Sequence, residues 1–396
     1  MQMMCGRSSI LQSLGVHAIL ILIFVQRGFV ADGVALNSQT SSAKDLAVVQ
    51  SLLQRANIPL DQVKDIHRVT AKSAFCNALY RVERLHNDGR KTSYMAKVFS
   101  SLATSRMRSG HLQKDVDLMN HNQQAVPSLF RIDKLAAKHE IGPQIYATID
   151  TTDSPALLMQ DCPGKALTEQ DLHHDHQTAQ LAATALAHLH RLDSSRETAS
   201  PNMLWQSCDV LMEQYADPKW KAAQDDRTWT HDRLFSCIKR HQSALEARNE
   251  DFLVTNSGHG DCKPSNLLIG YSDSQTSPCI RFLDLELAGT HYVAFDLAKL
   301  WRSSEPLTEK AAERQEAFLE TYAACCINDN MSALKIQEQI NQLLPLTWLE
   351  AAAFFVAMSS FSSKNRADRD HWDELALDRL RSYEECMMSH SERKFL

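Results

Sequence analysis

The chain has 396 residues, a formal charge of −6 and an apolar fraction of 44%, which suits a large buried core in one or two lobes and excludes a disordered polymer. Its lysines and arginines are scattered rather than gathered into a basic stripe, so a nucleic-acid partner is set aside. Ten cysteines occur without a CxxC pair or a dense framework, and buried free thiols are expected instead of disulfides.

The N-terminus carries Arg7, an apolar run from Leu14 to Val25 and then Gly33-Val34-Ala35, the small-x-small form of a signal-peptidase site. Residues 1–35 are therefore predicted to be a signal peptide that directs the chain to the secretory pathway. The run is short for a membrane span, so an uncleaved anchor ranks second and an untargeted leader on a cytoplasmic chain third. Membrane association is expected only through this segment. A polar linker follows over 36–45, and Asn330-Met331-Ser332 is a glycan acceptor only on the secretory route.

Residues 46–160 read as a small, strand-rich lobe. Ala78 to Leu85 and Ser93 to Phe99 are strand-like runs joined across His86-Asn87-Asp88-Gly89, which predicts a hairpin. Pro127 to Lys138 has helical spacing, and Gln144 to Ile149 and Ala156 to Gln160 are further short strands. Asp161-Cys162-Pro163-Gly164 breaks the pattern as a hinge. Residues 161–396 then form a larger lobe, mostly helical. Leu181, Ala185, Leu189 and Leu192 share one helix face, Thr308 suits an N-cap before the helix from Glu309, and Leu346 to Phe361 is again helical. The fold class is α+β and bilobal.

Chemistry concentrates in Phe252 to Ile269, read as strand, loop and strand. The loop holds His259-Gly260-Asp261-Cys262-Lys263-Pro264-Ser265-Asn266, an H-x-D-x-x-x-x-N pattern. Phosphoryl transfer needs a carboxylate to take or orient the proton of the attacking hydroxyl, and a nearby amide or carboxylate oxygen to hold magnesium against the phosphates. Asp261 and Asn266 fit those two roles, His259 would position the loop and Lys263 could meet the moving phosphate. Downstream, Cys279 to Glu286 is a buried strand ending in Asp284, where a kinase places its main magnesium ligand.

These motifs, with Tyr292-Val-Ala-Phe295-Asp296-Leu-Ala298, resemble the choline and ethanolamine kinase family, which is related to the aminoglycoside phosphotransferases. Asn77-Ala-Leu-Tyr80-Arg-Val and Ile141-Gly-Pro-Gln-Ile-Tyr146 are similar to flanking parts of that family, so the likeness runs from about Arg68 to Cys386. The resemblance implies a protein-kinase-like fold, ATP and magnesium as cofactors, and phosphorylation of choline, ethanolamine or a related amino alcohol in phospholipid biosynthesis. It implies Asp261 as the base, Asn266 and Asp284 as metal ligands, Lys97, Ser73 and Asn77 at the nucleotide, and Glu286 and Trp301 at the small-molecule acceptor. A phosphotransferase for another alcohol is the alternative, and a nucleotide-binding pseudokinase the alternative outside the enzyme class.

Three departures stand out. Ala71 to Cys76 lacks the glycines of the family's first turn. Leu129 and Arg131 occupy positions where a helix Glu is expected to pair with Lys97, with Asp133 or Glu140 as substitutes. Lys299, Leu300, Trp301 and Arg302 replace the acidic and aromatic wall for a quaternary ammonium, a poor surface for a cation, although Trp348, Phe354, Phe355 and Phe361 could supply an apolar pocket.

Overall fold

The computed structural model describes residues 43–69, 77–118, 129–151, 154–193, 202–224, 227–248, 252–271, 277–303, 306–326, 332–361 and 366–393. The leader, the turn holding Ser73 and the first two residues of the Asn330 acceptor lie outside these.

Helix α1 (Ala43–Arg55) opens the N-lobe, starting inside the stretch read as linker. Strands β1 (Val63–Arg68), β2 (Ala78–Leu85), β3 (Lys91–Val98), β4 (Ile145–Ile149) and β5 (Ala156–Gln160) form an antiparallel sheet in the order β1-β2-β3-β5-β4. Alternation decides what each face does. Tyr80 and Val82 of β2, with Ala96 and Val98 of β3, turn toward Val49, Leu52 and Leu53 of α1 and are nearly solvent-free. Each such aliphatic side chain contributes about 2 kcal/mol of burial. Lys97, one residue out of phase, projects from the opposite face toward the second lobe. Against that face lie α2 (Ser101–Leu118) and α3 (Arg131–Lys138), through Phe99, Met107 and Phe130.

The hinge after β5 is held to the N-lobe by Asp161, which accepts from Arg81 Nη2 at 3.4 Å and Ser93 at 2.8 Å. Beyond it come β6 (Lys165–Ala166), α4 (Glu169–His174), α5 (His176–Arg191), α6 (Asn202–Asp209), a π-turn over Val210–Tyr215, the hairpin β7 (Lys221–Gln224) and β8 (Arg227–Thr230), and α7 (His231–Glu246). The following segment supplies β9 (Val254–Gly258), β10 (Leu267–Tyr271), β11 (Pro278–Phe282), β12 (Gly289–Tyr292) and α8 (Val293–Leu300). Helices α9 (Glu309–Cys325), α10 (Ala333–Phe361) and α11 (Arg366–Arg393) close the lobe around one extensive core.

The fold is thus protein-kinase-like and bilobal, a sheet-rich lobe over a mostly helical one. Helix α10 is longer than expected because it continues through Pro345. It is apolar and long enough to cross a membrane, yet most of that stretch is buried in the lobe. The eight cysteines among the described residues are all free thiols.

Candidate active site

The loop between β9 and β10 is pinned from below by one carboxylate. Asp296, in the first turn of α8 and fully buried, accepts the backbone N–H of His259 at 2.6 Å, that of Gly260 at 2.9 Å and His190 Nε2 at 3.0 Å. Burial pushes its pKa up, but the His190 hydrogen bond and the electrostatic influence of the surrounding imidazoles outweigh that and hold it at about 2. Gly260 has φ +76°, and a Cβ there would come within 2.5 Å of the Leu287 carbonyl, so only glycine fits.

His259 joins the loop to the strand end that carries Asp284. Its Nδ1 accepts from the Asp261 N–H at 3.3 Å and its Nε2 donates to the Leu283 carbonyl at 2.9 Å, a pairing that requires the neutral Nε2–H tautomer. Burial lowers its pKa, which favours the same form. His259 is therefore a positioning residue.

The Asp261 carboxylate is enclosed by donors. Lys263 Nζ reaches Oδ2 at 2.9 Å, Asn266 Nδ2 reaches Oδ2 at 3.2 Å, and Lys299 Nζ lies 3.0 Å from Oδ1. Burial raises its pKa, yet the two ammonium groups hold it well below the usual carboxylate range. Because Asn266 spends its amide nitrogen on Asp261, the amide oxygen is the end able to meet a metal.

Across the cleft, Lys97 pairs with Asp284 and lies 2.6 Å from Glu286 Oε2. Burial opposes its charge, but Asp284 and Glu286 together raise its pKa. Lys97 in turn lowers that of Asp284, while burial and the neighbouring Asp284 raise that of Glu286. Asp284 sits in left-handed backbone at φ 63°, which turns its carboxylate back over the loop. Asn266 and Asp284 offer hard oxygen donors of the kind magnesium takes. Among the described residues no group of three or more His, Cys, Asp or Glu stands where it could hold a metal ion.

Two acceptor residues lie elsewhere than the sequence suggested. Glu286 faces the nucleotide side, where it bonds Lys97 and receives Asn77 Nδ2 at 2.6 Å, so it supplies the acid expected from the lobe helix. Asn77 also accepts the Ser100 N–H at 3.2 Å and serves as a bridge between lobes. Trp301 is buried away from the loop, stacked on His173 at 5.6 Å and edge-on to Phe318 at 5.4 Å. It is two residues past Lys299, about 200° round the helix, so the two side chains cannot face the same way. Of the candidate helix acids, Asp133 is half-buried within electrostatic reach of Lys97 without an ion pair to it, and Glu140 is exposed.

Sequence reasoning passed over Glu350 and Arg106, which reach the site from α10 and α2. Glu350 accepts from Lys299 at 2.9 Å and from Arg106 at 2.7 Å. It gave no role to Asp296 either, although Asp296 and Lys299 stand three apart on one face of α8 and bracket the loop.

A two-lobed fold with this loop defines a phosphotransferase. The chain belongs to the APH phosphotransferase enzyme family, whose model matches residues 112–326. In structure it is similar to an ethanolamine kinase from Plasmodium vivax, with a TM-score of 0.58 at 14% identity, covering 87% of this chain and 89% of that one. It is also similar to a choline kinase from Streptococcus pneumoniae, with a TM-score of 0.52 at 14% identity over 86% and 100% of the two chains. These likenesses show the fold. No curated protein matches the chain in sequence.

Proposed function

We propose that the protein is an ATP-dependent kinase of a small-molecule alcohol. The observation that carries this reading is the meeting of Asp261, Asn266, Asp284 and Lys97 in one cleft between the lobes. The acceptor hydroxyl approaches Asp261 and attacks the γ-phosphorus. A new O–P bond forms as the bond to the β,γ-bridging oxygen breaks, the hydroxyl proton passes to the Asp261 carboxylate, and ADP leaves. Asp261 is a weak base with two lysines beside it, which suits a loose transition state in which the hydroxyl is oriented first and loses its proton late.

Asn266 and Asp284 would hold magnesium, which supplies charge neutralisation at the phosphates. Lys97 then exchanges Asp284 for a phosphate oxygen and stays anchored by Glu286. Amino alcohols are the first acceptors to assay, on the motif resemblance and on the ethanolamine and choline kinases that share the fold.

The test is ADP release by the purified chain across a panel of alcohols. Asp261→Asn should cut turnover roughly 10²–10⁴-fold while MgATP affinity stays within a few-fold, since the base acts on the acceptor and not on the nucleotide. An equal loss of nucleotide affinity would move Asp261 to a metal-binding or structural role.

A further inference from the structure

Lys299, only 3% exposed at its side chain, touches Asp261 at 3.0 Å, donates to the Gly260 carbonyl at 3.1 Å and is held by Glu350 at 2.9 Å. Glu350 is in turn held by Arg106, whose Nε donates to Ser207 Oγ at 2.7 Å. This is a closed clamp in which every charge has a partner.

Arg302, one turn beyond Lys299, is different. Its guanidinium lies 4.6 Å from the Trp348 ring centroid and Nη1 donates to the Thr347 carbonyl at 2.7 Å, but among the described residues no carboxylate is within ion-pair distance of it. Its partner Thr347 stands three residues before Glu350 on α10, and Arg302 itself three residues after Lys299, so the guanidinium sits beside the clamp that holds the loop. Arg379 faces the same Trp348 ring at 5.5 Å. The aromatic surface that could receive an ammonium by cation–π contact is therefore already taken by two guanidinium groups. Lys263 and Lys299 face Asp261, Arg106 faces Glu350 and Arg379 faces Asp378 at 3.1 Å, which leaves Arg302 as the cation of this group with no carboxylate at ion-pair distance among the described residues.

Resting on the kinase reading above, we propose that the acceptor is an alcohol bearing an anionic oxygen group, a carboxylate or a phosphate. Arg302 binds that group. A guanidinium presents a planar fork of N–H donors that matches either anion, and it is the one cation here whose charge is not already answered by a carboxylate. A quaternary ammonium in the same place would meet the Arg302 guanidinium, a like charge.

The experiment compares kcat/KM for glycerol, glycerate, glycerol 3-phosphate, ethanolamine and choline at saturating MgATP, in the wild type, Arg302→Gln and Arg302→Lys. Glycerate or glycerol 3-phosphate should exceed glycerol by roughly 10-fold or more, with choline below glycerol, since a hydrogen bond to a charged group is worth a factor of that order. The better of the two anions identifies the group as carboxylate or phosphate. Arg302→Gln should reduce the anion-to-glycerol ratio roughly 10-fold and Arg302→Lys should restore part of it, a pattern that general unfolding cannot produce. Calorimetric binding of glycerate and glycerol 3-phosphate to the complex with magnesium and a non-hydrolysable ATP analogue gives a readout independent of turnover, with weaker binding of the preferred anion expected in Arg302→Gln. Choline or ethanolamine as the best acceptor, or an unchanged ratio and unchanged binding in Arg302→Gln, would overturn the inference. Neither result touches the kinase reading, which falls only if Asp261→Asn keeps its turnover.

Discussion

Asp296 offers the sharpest test of how the catalytic loop is held. Replacing it with Asn keeps the shape but removes the charge that receives His259 N–H, Gly260 N–H and His190. The Asn amide can accept with one atom only, so its NH2 must face a donor. With the Asn oxygen in the place of Oδ2, the His259 N–H and His190 stay paired to a now neutral acceptor and the Gly260 N–H is left facing the NH2; losing one bond to a buried charge, worth about 1.5–3 kcal/mol, and weakening two gives an expected loss of about 3 kcal/mol at pH 7. Part of this depends on pH. The Asp296 carboxyl is depressed from 3.8 to about 2 in the folded protein. A depressed acid stabilises the fold above the unfolded pKa and loses that contribution as pH falls through the folded one, an amount of about 2 kcal/mol in all. About half of it is gone at pH 3. The Asn variant has no such term, so the difference between the two proteins should shrink from about 3 kcal/mol at pH 7 to about 2 kcal/mol at pH 3. Urea unfolding followed by tryptophan fluorescence at pH 7, 5 and 3 measures it. A gap under about 1 kcal/mol at pH 7, or one that does not narrow toward pH 3, would refute the reasoning.

Three further outcomes follow from the same geometry. Gly260→Ala places a Cβ 2.5 Å from the Leu287 carbonyl in backbone at φ +76°, and should cost about 3 kcal/mol or more together with turnover; an unaltered melting temperature would show that the loop can shift at little cost. Asp284→Ala should abolish magnesium-dependent nucleotide binding, and wild-type affinity in a titration with magnesium present would count against the metal role. Burial raises the Asp133 carboxyl to about 6, so in the nucleotide-free protein its contribution is favourable below about pH 4 and lost as pH rises through 6. Asp133→Asn should accordingly stabilise that form by about 3 kcal/mol at pH 7 and by about 0.5 kcal/mol at pH 4, and destabilisation at pH 7 would mean that its ionised form is held by Lys97 after all.

Much of the site was legible because its spacing is local. Asp261 and Asn266 are five residues apart in a loop bounded by two strands, so their hydrogen bond needs only the local turn, with Gly260 supplying the one backbone conformation that closes it. Lys97 could be placed on the cleft face from the alternation of Ala96 and Val98 alone, since successive strand residues point to opposite sides. Strand β1, Val63–Arg68, was hidden by its charges, which an edge strand paired on one side tolerates. The direction of a polar side chain at a turn or helix end was not legible either. Glu286 goes to Lys97 rather than to the acceptor because Asn77 and Lys97, over 180 residues upstream, are already there to receive it. Trp301 goes to the core, where its ring packs against His173 and Phe318 from distant helices. Glu350 and Arg106 carry no motif; they become part of the site only when α10 and α2 pack around α8, where a buried ammonium must find a carboxylate and that carboxylate a second cation. The sequence by itself determined the local turns, the strand faces and the spacing of the reacting groups, which depend on short-range sterics. The tertiary structure alone decided which distant charges complete the site, because the cost of burying a charge is settled only by what else is packed beside it.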